Sequence, residues 1–154
     1  FQRQPQSVAP VRIAFLTTSA SASASELVIN SMQPWLRDNM VLVGSNTFGK
    51  PVGQIGRDRS ACDDRLRVVA FETKNADRQG GYYNGLAATV PRSCAAQDQL
   101  SRPMGDPEEA MTRAALDALG GASCPPIGTV SAQQSGGRRT LLVPTLPTVV
   151  DREV

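Results

Sequence analysis

The sequence predicts an α/β domain, and three observations carry that reading. A short, almost uniformly apolar run, Val11 to Thr17 (VRIAFLT), leads through a serine-alanine repeat into a segment whose apolar residues recur at helical spacing. A second β-rich run, Met40 to Val43 (MVLV), follows at once, and a third, Leu66 to Thr73 (LRVVAFET), comes later. A further helix is marked by Asp106 as N-cap, Pro107 and two acids in its first turn, and Gly120 and Gly121 as its stop.

Val11 to Thr17 is too apolar at its centre for an exposed edge and reads as a buried strand. From Glu26 the positions Leu27, Val28, Met32, Trp35 and Leu36 give the apolar stripe of a helix bent or ended near Pro34. Gly44 to Gly56 (GSNTFGKPVGQIG) reads as a glycine-rich loop or short hairpin, and residues 74–85 (KNADRQGGYYNG) as a loop. AMTRAALDAL carries the late helix. Gly121 to Arg139 reads as a polar loop, and Leu141 to Val150, interrupted by Pro144 and Pro147, as an edge strand or irregular tail.

The chain has 154 residues, of which 40% are hydrophobic, enough for one domain with a real core. Its 16 basic and 14 acidic residues leave a net charge of +2, too small a field to favour nucleic acid or an anionic membrane surface. No apolar run approaches the roughly 20 residues of a membrane span. Phe1 in place of an initiator methionine, with no signal-peptide pattern behind it, predicts a piece of a longer protein whose targeting signal lies upstream. There is no histidine, so the usual general base and the usual metal ligand are both missing from this chain. Only Lys50 and Lys74 are cations able to lose a proton near neutral pH, because every other basic residue is arginine. Cys62, Cys94 and Cys124 have no C-x-x-C spacing, which argues against zinc and a redox pair. A Cys94–Cys124 disulfide closing the late helix onto the core, with Cys62 left over, is one reading, and it fits an oxidising compartment. Three reduced cysteines are the other.

The run Ser19 to Glu26 (SASASASE) admits three readings. It is a low-complexity connector, or a capping box with the S-x-x-E spacing at Ser23 and Glu26, or a nucleophile at the tight entry to a helix, where free N–H groups stabilise an oxyanion. A serine needs a base to take its proton, and without histidine the alternative is a neutral lysine. A lysine serves near neutral pH only where burial pulls its pKa down from about 10.4 by a few units. Lys50 has suitable neighbours in Phe48, Gly49 and Pro51, with no acid within five residues in sequence. The plain alternative is a solvated surface lysine, which the residues alone favour slightly. Lys74, beside Glu72 and a polar loop, looks like that solvated case.

SASASE after a buried strand, then VLVGSNTFGKPVGQ, resembles the core of the carboxyl-terminal processing (tail-specific) serine proteases. Their motif is a serine in S-A-S-E, then a glycine, threonine, aromatic, glycine, lysine loop, with a glutamine four residues after the lysine. Weaker similarity runs through YYNGLAATVPRSC and MGDPEEAMTRAALDAL, so that the resemblance covers Val11 to Cys124. It implies a crotonase-like α/β core of ββα units with a mixed sheet and packed helices. Position by position, it places the nucleophile on Ser23, the general base on Lys50, the residue that orients the lysine on Gln54, and one oxyanion donor on the Ala24 N–H. The serine-to-lysine interval of 27 residues is slightly longer than usual for the family, and counting by the usual interval selects Ser25 instead. The local motif favours Ser23, because an insertion fits easily around QPWLRDNM.

The resemblance further implies a peptidase acting on C-terminal or unfolded peptide or protein substrates, with no metal or cofactor, in an extracytoplasmic location. The family's upstream half, with its second oxyanion donor and commonly a PDZ-like domain, is absent from these residues. Residues 1–10 are then a lead-in, 11–124 the C-terminal part of the protease core, and 125–154 a loop and extended tail. Retinoid-carrying proteins of the eye have similar modules, so a non-catalytic module binding a hydrophobic ligand is the rival. A purely structural secreted domain is the third class, favoured if Lys50 points to solvent.

Overall fold

In the computed structural model, which describes residues 2–128, the first apolar run forms strand β1 (Ile13–Thr17) and the serine run leads into helix α1 (Ala24–Leu36). A 3-10 turn over Arg37–Asn39 returns the chain to strand β2 (Met40–Gly44). β1 and β2 pair in parallel from Ile13 opposite Met40 to Thr17 opposite Gly44, as a crossover through a helix allows. A three-residue strand, β5 (Ser93–Ala95), extends the sheet on the other side of β2, again in parallel. Between them in sequence, β3 (Val52–Arg59) and β4 (Asp64–Glu72) form a separate antiparallel hairpin with a bulge at Gly53 and Gln54. Helix α2 (Ala110–Leu119) packs on β1 and β2.

β2 is central and its four apolar residues alternate between two cores. Met40 and Leu42 join Ile29 of α1 with Tyr82, Leu86, Val90 and Ile127 on one face. Val41 and Val43 join Cys94 and the α2 residues Ala115 and Ala118 on the other. Leu42 and Val43 are both fully buried, each worth roughly 1.5–3 kcal/mol, so continuous apolarity is what a strand covered on both faces requires. Cys94 and Cys124 form a disulfide with a Cα–Cα distance of 5.4 Å that ties the chain after α2 to β5, while Cys62 is free and exposed in the hairpin turn.

Several expectations are corrected. The apolar stripe of α1 is only in part its core face: Leu27, Val28 and Trp35 are exposed, Met32 and Leu36 are half-buried with Leu36 packed on the core, and Glu26, Ile29, Asn30 and Gln33 are buried. The helix does end near Pro34, at Leu36, but β1, expected to be buried, is an edge of its sheet: among the described residues it pairs only with β2, which leaves Leu16 exposed and only Thr17 buried. The stretch Gly44 to Gly56 is loop only from residue 45 to residue 51, after which β3 begins. Sequence patterning gave no sign of β5. The N-cap of α2 is Glu109, not Asp106, which instead closes the preceding turn by accepting from the Glu108 N–H at 2.9 Å. The polar loop beyond residue 128 and the extended reading of Leu141 to Val150 lie outside the described residues.

Glu109 shows how a carboxylate holds a helix start. It accepts from the N–H groups of Met111 (3.0 Å) and Thr112 (2.7 Å), and these bonds lower its pKa from 4.5 to about 2. A depressed carboxyl pKa adds stability above the unfolded value and loses it as pH falls through the folded one. Glu109→Gln should therefore lower the urea midpoint at neutral pH and flatten the acid loss of stability between about pH 4.5 and pH 2. An unchanged acid limb would show that this cap is not linked to folding.

Candidate active site

Because β1 and β2 are parallel and in register, they end side by side at Thr17 and Gly44. The serine run and the lysine loop thus leave the same edge of the sheet, the carboxyl end at which open α/β sheets place their sites. The two segments are laced there. Ser45 N–H donates to Thr17 O (3.0 Å), the Thr17 hydroxyl donates to Ser45 O (2.9 Å), and Phe48 N–H donates to Ser21 O (2.9 Å).

Ser23 is the last residue before α1 and stands at φ 55°, ψ −108°, the one serine of the run with positive φ. For a residue with a Cβ this conformation costs on the order of 1–3 kcal/mol, and strained backbone of this kind clusters at functional sites. A serine on a sharp strand-to-helix turn is also how some hydrolases expose a nucleophile. The other serines are placed differently. Ser19 and Ser25 are exposed, and the Ser21 hydroxyl accepts from Thr18 N–H at 3.1 Å.

Glu26 joins this turn to the lysine loop. Its side chain is fully buried, and its Oε2 accepts from both Ser23 N–H (2.9 Å) and Lys50 N–H (2.8 Å), while Oε1 accepts from Gly49 N–H (2.7 Å). One carboxylate oxygen therefore holds the backbones of Ser23 and Lys50 together. The turn is a capping box: the Glu26 carboxylate accepts from Ser23 N–H, and the Ser23 hydroxyl faces the Glu26 N–H without reaching full hydrogen-bond geometry. Ser23 N–H is committed to Glu26 and Ser25 N–H to Ala22 O (3.2 Å). Of the three consecutive N–H groups at the helix start, that of Ala24 is the one without a bond among the described residues, an open donor of the kind helix N-termini present.

The lysine loop is held rigidly from below. The Asn46 side-chain oxygen accepts from Thr47 N–H (2.9 Å) and Ala87 N–H (3.0 Å), its amide donates to Asn84 O (2.8 Å), and the Thr47 hydroxyl accepts from Leu86 N–H (2.9 Å). Gly49 stands at φ +90°, and a Cβ there would sit 2.2 Å from Tyr83 O, so only glycine fits this crossing. Lys50 is half-buried and makes no ion pair among the described residues, whereas Lys74 is exposed and pairs with Glu72 at 3.2 Å. The structure thus brings Ser23, Ala24 and Lys50 together. Gln54 stands apart from the Glu26 clamp, exposed on β3 at the bulge. Glu26 itself is the contributor that sequence reasoning missed: S-x-x-E spacing signalled its bond to Ser23 but not its reach to residues 49 and 50.

The model of peptidase family S41 matches residues 2–86, more than half the chain and all four of Ser23, Ala24, Lys50 and Gln54. The chain belongs to peptidase family S41. The resemblance to the carboxyl-terminal processing proteases is borne out, although the family match stops at Leu86, short of Cys124. Among solved structures, this S41 chain is similar to a Bacteroides fragilis NCTC 9343 protein assigned to the S41 proteases. Identity is 27% and the TM-score 0.61, over 73% of this chain and 28% of that one. The chain therefore spans little more than a quarter of that protein's length. The match also bears out the crotonase-like α/β fold class. No curated protein matches the chain.

Replacing Glu26 by glutamine keeps its size but turns one acceptor into a donor facing N–H groups. An unsatisfied buried donor costs roughly 1–3 kcal/mol, and Glu26→Gln should lose about that much in urea unfolding. Wild-type stability in this variant would remove the carboxylate from its organising role.

Proposed function

We propose that this S41 chain carries the Ser/Lys dyad of a serine endopeptidase, with Ser23 as nucleophile and Lys50 as general base. The observation that carries the reading is the shared Glu26 oxygen, which holds together the backbones of a strained serine at the N-cap and a half-buried lysine with no ion pair among the described residues. Neutral Lys50 accepts the Ser23 proton as the serine oxygen attacks a peptide carbonyl carbon. The Ala24 N–H donates to the oxyanion, and protonated Lys50 then gives its proton to the leaving amine. Water hydrolyses the acyl-enzyme by the same route, losing its proton to Lys50 and restoring the Ser23 hydroxyl. Gln54 is assigned the task of orienting the lysine, on the strength of the motif.

A second oxyanion donor and the substrate channel would come from an upstream half of the same catalytic domain. The short span of this chain relative to its structural neighbour supports that division. The substrate class is peptide or protein, with C-terminal or unfolded segments as the reading's preferred targets. No helix among the described residues is long and apolar enough to cross a membrane. The Cys94–Cys124 disulfide supports an extracytoplasmic location, since such bonds persist in oxidising compartments.

In the full-length protein, Ser23→Ala and Lys50→Ala should each lower peptide cleavage by roughly 10³-fold or more without loss of fold, as removal of a unit of nucleophile and base does. Lys50→Arg should be equally inactive, because arginine cannot supply a neutral base. Ser25→Ala should retain most activity. Full cleavage by either alanine variant of the dyad would overturn the assignment and return the lead to a ligand-binding module.

A further inference from the structure

Glu26 secures the N–H of Lys50, but the peptide between Pro51 and Val52 is secured from elsewhere. The carbonyl oxygen of Pro51 accepts two bonds from Thr73, one from its N–H at 2.8 Å and one from its hydroxyl at 3.1 Å. The Thr73 Oγ1 in turn lies 3.2 Å from the Tyr82 hydroxyl. A threonine hydroxyl has one proton, and here it goes to Pro51 O, so the Tyr82 O–H must donate into Thr73 Oγ1. The order of donation runs from tyrosine to threonine to the carbonyl beside Lys50. Tyr82 is fitted to that task. It is 3% exposed, its ring packs in the core with Leu42 and Leu86, and burial, ahead of the opposing Thr73 bond, pushes its phenol pKa up.

The other faces of this segment are fixed as well. Pro51 is buried and has no N–H to adjust, and its ring sets its own φ. Asn75 closes the loop after Thr73 by accepting from the N–H groups of Asp77 and Gln79, and Asn30 of α1 donates to Gln79 O at 3.1 Å. Thr73, just past the end of β4, and the loop leading to Tyr82 are therefore tied to the same helix that carries Glu26.

We propose that Thr73 and Tyr82 are positioning residues for Lys50, fixing the backbone on its C-terminal side as Glu26 fixes it on the N-terminal side. The Lys50 backbone is gripped at both flanks, and the direction from which its amine approaches Ser23 is set by the grip. Neither residue touches the reacting atoms. The inference rests on the reading of Lys50 as the base.

The test is steady-state peptide cleavage by the full-length protein carrying Thr73→Val, Thr73→Ser, Tyr82→Phe or Lys50→Ala, each first shown by circular dichroism and urea unfolding to be folded. Thr73→Val and Tyr82→Phe should lower kcat about tenfold or more with KM within about twofold, since small displacements of a catalytic group cost that much or more. Thr73→Ser, which keeps the hydroxyl, should recover most of kcat. If Lys50→Ala is inactive while Thr73→Val and Tyr82→Phe turn over like wild type, the clamp is wrong and the dyad stands. A loss in Thr73→Val that Thr73→Ser fails to recover also overturns the clamp. Should Thr73→Val not fold, Tyr82→Phe decides alone, because it removes only one oxygen. Activity in Lys50→Ala would instead sink the dyad reading, and the clamp with it.

Discussion

A carboxylate buried among backbone N–H groups is the constraint on which this site depends. Withdrawing an ion from water costs several kcal/mol, and the cost is offset only where its lone pairs are filled. Glu26 meets that condition with three N–H donors, each a bond to a charged group worth about 1.5–3 kcal/mol. The three donors come from two separate segments. Satisfying one carboxylate therefore forces the turn at Ser23 and the loop at Gly49 and Lys50 into a single arrangement, and it stabilises the positive φ that Ser23 could not hold alone.

The sheet makes this possible at low cost. Parallel β1 and β2 deliver both segments to one edge, and β2, covered by α1 and α2, anchors that edge in the two cores. α1 then contributes along its length. Glu26 binds the lysine loop, and Asn30, one turn on, binds the loop that follows β4. A helix whose inner face must meet exposed loop backbone needs polar side chains there, since buried N–H and C=O groups must find partners.

That same requirement explains where the sequence misleads. Helical periodicity rests on apolar residues, and in α1 it selects Leu27, Val28 and Trp35, which are 40%, 51% and 77% exposed, over the polar face that is buried. β3 was hidden by glycines that read as loop, yet a Cβ on Gly53 would lie 2.0 Å from the Phe71 ring. That glycine makes room for a cross-strand aromatic and breaks the alternation that marks a strand. β5 is three residues long, too short to carry a pattern. In contrast, β2 and the existence of β1 and of both helices are legible, because continuous apolarity and cap chemistry are local, although apolarity misplaces β1, which is a sheet edge with Leu16 exposed. The assignment of Ser23 and Lys50 as a pair comes from motif resemblance alone, and the backbone link that joins their two segments spans 24 positions from Glu26 to Lys50, beyond any local signal.

The fold and family membership follow from the described residues, and the chemistry turns on one distance. The direct measurement is a crystal structure of the full-length protein with a bound peptide, reading the separation of Lys50 Nζ and Ser23 Oγ. The account predicts hydrogen-bond reach, about 2.6–3.2 Å, with the Ala24 N–H turned toward the peptide carbonyl. A Lys50 amine turned to solvent, or bonded to Ser25 in place of Ser23, would contradict it.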